Sequence, residues 1–310
     1  MQTGEHTASS DGGSGILNEA LCITPCPAGK ASHFVLCKGN KIKFIIDLKD
    51  GKQHLTANVA AYSKGLALLL KLLPIIPYGI LKSAKLGYFA QVSLHQDIAR
   101  FLPENHRWNI LVGTYDCAQK IVLQCYANKT TPRIFVKVGN AGSAAQMERE
   151  IRFLQKATTY TSFEVPHMKG YCLKDEQHPF NIQVTREFQG EKVPPVLTPE
   201  LYAVTRELAG ERILKDGVVY EFSHGDFAPW NIRKTNGTYT VFDWEHCGMR
   251  PAGYDAAYFI IMTEVALHHC SFAEAFESAQ SQLRTLAPEL RLDYNLMYEE
   301  FAKTTKALTF

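Results

Sequence analysis

Apolar positions fall in short runs over the first half of the chain and at helical spacing over the last part. The runs His33–Cys37 and Lys41–Asp47, on either side of Lys38-Gly39-Asn40, predict a β-hairpin. A helical stretch follows from about His54 to Leu73 and ends before Pro74. From about Trp108 a β-rich region begins. Asn109 to Tyr126 reads as two strands around a turn, and Arg133–Val138 as a buried strand carrying one charge, Lys137. An ammonium on an apolar strand needs an anionic partner. Met147, Ile151 and Leu154, spaced by four and three, predict an amphipathic helix from about Ser143 to Lys156. A helix is expected over about Pro199–Leu214, and three more over Ala256–His269, Phe272–Thr285 and Leu292 to about Lys306.

The greasiest stretch is Gly65–Leu81, and it is too broken to span a bilayer. Lys71, Pro74 and Pro77 interrupt it, well short of the ~18–20 apolar residues that a span needs. Either it packs beside the β-rich region, or it lies on a membrane surface with Lys71, Lys82 and Lys85 near headgroups.

Composition narrows the class. With 310 residues, 46% of them hydrophobic, the chain can bury two cores. A net charge of +2 creates no field that would call for nucleic acid. The eight cysteines include no C-x-x-C pair and read as reduced thiols. Residues 1–15 are Gly, Ser, Thr and charge, are expected to be disordered, and lack an apolar signal core, so the expected compartment is the cytoplasm.

Chemistry concentrates in Phe222–Ile232 and Val241–Glu245. Asn236-Gly237 is a type I′ turn signal, so Ile232 to Asp243 predicts a hairpin with Asn231 at one mouth and Asp243 at the other. Asp226 lies on the loop before it. Phosphoryl transfer needs this set: a carboxylate to orient and deprotonate a hydroxyl, and hard oxygen ligands for Mg²⁺. Asp226 is the candidate base, and Asn231 and Asp243 the candidate metal ligands. Glu245, two residues on, is a weaker metal candidate that reads equally well as a surface acid.

These residues, His224-Gly225-Asp226-Phe-Ala-Pro-Trp-Asn231 with Phe242-Asp243-Trp244-Glu245, resemble the signature of the aminoglycoside phosphotransferase/choline kinase-like superfamily. The resemblance implies an α+β, bilobal protein-kinase-like fold with a small β-rich N-lobe, a compact helical C-lobe and, here, an extra N-terminal extension. It divides the chain into a tail (1–15), an extension of a hairpin plus apolar helices (16–107), an N-lobe with hinge (108–190) and a C-lobe (191–310). It also implies ATP and Mg²⁺ as cofactors. Lys137 would meet nucleotide phosphates and pair with Glu150 on the following helix, with Glu148 as the fallback. The turn after Gly113 would cover the phosphates, with Thr114 as a hydroxyl donor, although the glycine-rich pattern is missing. Phe180–Gly190 would form the strand and hinge, its backbone at Arg186, Glu187 and Phe188 facing adenine. Asp255, in Arg250-Pro-Ala-Gly-Tyr-Asp, would tie the catalytic loop together, and His224 would brace it.

The interval from Asp243 to Asp255 is too short for an activation loop and no Ala-Pro-Glu follows, which argues against a protein kinase. A small-molecule hydroxyl is the expected acceptor. Only 33 residues separate Gly190 from His224, which leaves little room for inserted substrate helices and disfavours aminoglycosides and choline. A sugar, a glycan or lipid-linked saccharide, or another metabolite alcohol is expected. An antibiotic kinase and a catalytically silent scaffold are the alternatives. Peripheral membrane contact could come only through 65–81.

Overall fold

The computed structural model describes residues 15–58, 68, 72–126, 134–157, 159–188, 190–210, 212–288 and 290–304. The predicted disorder of 1–15 falls, apart from Gly15, outside these residues, as do most of 59–71 and the end of the last helix.

One lobe is built on a nine-stranded sheet. In chain order its strands are β1 (Leu21–Pro25), β2 (His33–Lys38), β3 (Lys41–Asp47), β4 (Gly87–Leu94), β5 (Arg107–Val112), β6 (Lys120–Tyr126), β7 (Ile134–Gly139), β9 (Met168–Cys172) and β10 (Asn181–Arg186). Across the sheet they run β1-β4-β2-β3-β5-β6-β7-β10-β9. The β2–β3 hairpin turns at Gly39, whose φ of +58° suits glycine. Strand β3 then pairs with β5, Ile45 opposite Ile110, so the sheet continues unbroken from the N-terminal strands into β5, β6 and β7.

Short helices α1 (Ile16–Ala20), α2 (Gly51–Asn58), α3 (Tyr78–Ser83) and α4 (Gln96–Ala99) fill the gaps between strands. Leu73 and Leu81 are buried with Leu55 and Phe34, whereas Ile75 and Ile80 face outward. Among the described residues, no helix is long and apolar enough to cross a membrane.

Helix α5 (Ala144–Lys156) crosses from this lobe to the other, burying Met147, Ile151 and Leu154 on the predicted face. The second lobe collects its own core around Trp244, Phe227, Tyr258 and Phe259. Its elements are α6 (Pro199–Ala209), α7 (Tyr254–His268), α8 (Phe272–Leu286) and α9 (Tyr294–Thr304). Two small sheets join them: β11 (Glu191–Lys192), β14 (Ile232–Thr235), β15 (Thr238–Val241) and β8 (Phe163–Glu164), and β12 (Arg212–Lys215), β13 (Val218–Ser223) and β16 (Gly248–Pro251).

The helix expected to reach Leu214 stops at Ala209. Gly210 takes a φ of +48°, and Arg212–Lys215 turns back as a strand against Glu221–Val218. Cross-strand pairing with Tyr220 and Val219 sets Ile213 and Leu214 as strand residues.

Candidate active site

The catalytic loop lies between β13 and β14, and its shape is set by buried polar groups. The Asp255 carboxylate accepts hydrogen bonds from the His224 and Gly225 backbone N–H groups, at 2.7 and 3.0 Å. His224 accepts from the Asp226 N–H at Nδ1 (3.2 Å), which leaves its proton on Nε2 to donate to the Phe242 carbonyl (3.0 Å). Burial pushes this imidazole down to about 4, so it braces the loop in its neutral form. Gly225 has a φ of +84°, and a Cβ there would lie 2.2 Å from the His246 carbonyl oxygen. No larger residue fits without moving the backbone.

Asp226 is thereby held with its carboxylate between two donors. Asn231 Nδ2 donates to Oδ2 at 2.9 Å and the Tyr258 hydroxyl to Oδ1 at 2.8 Å. Burial, assisted by the charge of Asp243, pushes Asp226 up to about 7 against these hydrogen bonds. Asn231 Nδ2 also donates to the Asp226 carbonyl (2.9 Å), so both of its partners are acceptors and its Oδ1 turns the other way.

The predicted hairpin forms. Ile232 pairs with Val241, and the turn residues Asn236 and Gly237 have φ of +50° and +89°, as a type I′ turn requires. The Phe242 N–H donates to the Asn231 carbonyl at 3.0 Å, which sets Asn231 beside Asp243. Asp243 itself is left-handed (φ +71°), a conformation that Asp tolerates better than most residues.

Across the cleft, Lys137 reaches Glu150 Oε2 at 2.6 Å and Asp243 Oδ1 at 2.5 Å. The helix acid is thus Glu150; Glu148 pairs instead with Arg152. Burial disfavours the Lys137 charge, but Asp243, Glu150 and Glu245 outweigh it and hold the ammonium protonated. Glu245 lies 3.7 Å from Lys137 and 2.7 Å from Lys120. Burial would raise its carboxyl, yet Lys137, His246 and Lys120 keep it well below the ordinary range. Oxygens of Glu150, Asp243 and Glu245 all lie within 4.8 Å of one another. These three carboxylates are hard-oxygen donors of the kind that fits a divalent cation.

Two adjoining cavities open on Lys137 and Asp243. One, of about 220 Å³, is mostly apolar: Leu111, Val122, Phe135, Phe188 and Phe242 shape it, with Thr185 and Gln183 on its wall. The Phe188 ring centroid lies 5.5 Å from that of Phe135 and 4.4 Å from that of Phe242. The other, of about 600 Å³, is rimmed by Gly113, Thr114, Lys120, Gln146 and His246, with Lys303 reaching in from α9.

At the hinge, the Arg186 N–H donates to the His167 carbonyl, just before β9, at 2.9 Å, and the Arg186 side chain is exposed. Glu187 follows the strand, and Phe188 reaches the cavity through its ring. Sequence reasoning passed over Tyr258 and Lys120. Tyr258 stands one helical turn after Asp255, and Lys120 shares a strand face with Val122, which pairs opposite Lys137; each signal appears only once the loop tie or the register is known.

The profile of the phosphotransferase enzyme family matches residues 212–290. No curated protein sequence matches the chain. Among solved structures, an amicoumacin kinase in complex with AMP-PNP, Ca²⁺ and Ami is 15% identical, with a TM-score of 0.38, covering 66% of this chain and 81% of that one. A microcompartment-associated aminopropanol kinase is also 15% identical (TM-score 0.41, 66% and 82% covered). A structure assigned as a fructosamine-3-kinase from Haemophilus somnus 129PT is 10% identical (TM-score 0.37, 63% and 92% covered). The stretch that matches the phosphotransferase enzyme family profile holds Asp226, Asn231, Asp243 and Asp255 together.

Proposed function

We propose that the protein transfers the γ-phosphoryl group of ATP to a hydroxyl of a small molecule, with Asp226 as the base. The observation that carries this reading is the facing arrangement of Lys137, tied to Glu150 and Asp243, and Asp226, tied to Asn231 at 2.9 Å. Asp226 would orient the acceptor hydroxyl and take its proton. Its Tyr258 and Asn231 hydrogen bonds fix the carboxylate before substrate arrives, so little reorganisation is left for the reaction itself. Lys137 would neutralise phosphate charge, positioned by Glu150. Asn231 and Asp243, with Glu245 nearby, would hold Mg²⁺, which when bound supplies charge neutralisation along the phosphate chain. The apolar cavity would take the base, with the Phe188 ring against it.

For the acceptor, a sugar, a glycan or lipid-linked saccharide, or another metabolite alcohol is the class we favour. Between Gly190 and His224 the chain forms β11, α6, β12 and β13, which leaves little room for helices surrounding a polycationic antibiotic.

The test is transfer of label from γ-labelled ATP in a cell extract, partitioned into aqueous, organic and protein fractions. Asp226→Ala serves as control and should lower transfer by about a thousandfold, with ATP binding retained. Aqueous label identifies a soluble metabolite kinase, and organic label a lipid-linked acceptor. Label confined to protein, or label independent of Asp226, would overturn the reading.

A further inference from the structure

Kinase-like sites commonly cradle phosphates with the backbone amides of a glycine-rich loop. In the loop between β5 and β6, four of the seven backbone amides are already engaged: the Gly113 N–H by the Lys120 carbonyl (2.9 Å), Asp116 by the Thr114 carbonyl (3.0 Å), Gln119 by the Asp116 carbonyl (3.2 Å) and Ala118 by the Asp116 carboxylate (2.8 Å). A share of any phosphate charge arriving here falls to side chains.

Lys120 is placed to do so. It opens β6 on the face it shares with Val122, opposite Lys137, and its side chain is 15% exposed at the cavity that also holds Lys137 and Asp243. Its ammonium meets Gln146 Oε1 at 2.6 Å and Glu245 Oε2 at 2.7 Å. Glu245 Oε2 makes no aligned hydrogen bond, although it is buried. Three carboxylates (Glu150, Asp243 and Glu245) therefore face two ammonium groups, with His246 Nε2 3.4 Å from the other oxygen of Glu245.

We propose that Lys120 is a second phosphate-binding lysine, which exchanges Glu245 for the terminal phosphates of the nucleotide and so does with a side chain what a glycine-rich loop does with amides. This rests on the phosphotransferase reading and deepens it. Glu245 then acts as the resting counter-ion of Lys120, and on nucleotide arrival its oxygen turns to the cation site beside Asp243. The competing structural role is a strut. Lys120 and Gln146 belong to the sheet lobe and its helix, Glu245 to the turn after the hairpin, so the same pair could simply pin the lobes together.

Calorimetric titration of the full chain with ATP and with AMP, each with Mg²⁺, separates these roles. Lys120→Met should weaken ATP by about tenfold to a hundredfold, the worth of one hydrogen bond to a charged group, while AMP changes by less than about twofold. Lys120→Arg should recover most of the ATP affinity. Lys120→Gln, which keeps a polar contact without the charge, must show the same selective loss and guards against misfolding of the Met variant. Unchanged ATP binding in Lys120→Met and Lys120→Gln overturns the proposal. Equal losses of ATP and AMP also overturn it, in favour of the strut. If the unaltered protein bound neither nucleotide, the phosphotransferase reading itself would fall, a result distinct from both.

Discussion

On the large-lobe side of the cleft, the catalytic loop is fixed by hydrogen bonds between buried side chains and backbone: Asp255 to two amides, His224 to an amide and a carbonyl, and Gly225 pressed against His246. On the small-lobe side, Lys137, Lys120, Glu150 and Glu245 are held by ion pairs between side chains, several of which reach across the lobes. The two kinds of fastening suit different tasks. Backbone hydrogen bonds hold a reacting carboxylate in one geometry whatever is bound. Ion pairs can trade partners when a polyanion and a cation arrive, because each departing charge finds another to face.

Breaking the large-lobe fastening should have the greatest effect. Asp255→Asn leaves one accepting oxygen for two amides and sets an NH₂ against an N–H donor. We expect kcat to fall by about a hundredfold with ATP affinity nearly unchanged, as read by steady-state kinetics beside calorimetry. A loss confined to ATP affinity would remove the distinction between the two sides.

Breaking the small-lobe fastening should act on binding. Lys137→Met leaves Glu150 and Asp243 without their shared cation, and we expect ATP affinity to fall by about tenfold to thirtyfold and thermal stability to drop. Added Mg²⁺ should recover part of that stability by facing the abandoned carboxylates. A melting temperature indifferent to Mg²⁺ would count against the ion-exchange picture.

A smaller effect should come from pH. The proposed base, Asp226, works only when ionised, and burial pushes its carboxyl up to about 7, so lowering the pH protonates it and should remove activity. Between pH 7 and 6, kcat/KM should decline by about fivefold. His224, near 4 and neutral throughout this range, contributes nothing to the slope. A flat profile from pH 5.5 to 8 would show that Asp226 is not the titrating base. The smallest effect is expected from Phe188→Ala, which removes one ring from the apolar cavity and should weaken nucleotide binding by about twofold to fourfold, adenosine included.

Local chemistry made much of this legible before any coordinates. Asn236-Gly237 can hardly do other than turn a hairpin, and that hairpin brings Asn231 to Asp243. Lys137 in an apolar strand needs an acid, and the family resemblance points to Glu150, next to the stripe of Met147, Ile151 and Leu154, with Glu148 as the fallback; the structure pairs Lys137 with Glu150. The residues that escaped depend on pairing across the sequence. Ile213 and Leu214 are apolar residues that a helix could equally carry, and only their pairing with Tyr220 and Val219 makes them a strand. The resemblance alone sets the Arg186 backbone at the base, and only the fold shows its N–H taken up by the His167 carbonyl just before β9. Tyr258 becomes visible only after Asp255 is seen beneath the loop.

The unbroken sheet has a consequence for anyone who would cut this protein down to its recognisable part. Strand β3 lies along the outer side of β5, Phe44 opposite Leu111 and Ile45 opposite Ile110. Removing the first hundred or so residues would strip that neighbour away and leave β5 as an apolar edge with open amides and carbonyls, a template on which other chains assemble. The trimmed fragment should aggregate where the whole chain stays dispersed. In this molecule the N-terminal strands are the guard on the flank of the sheet.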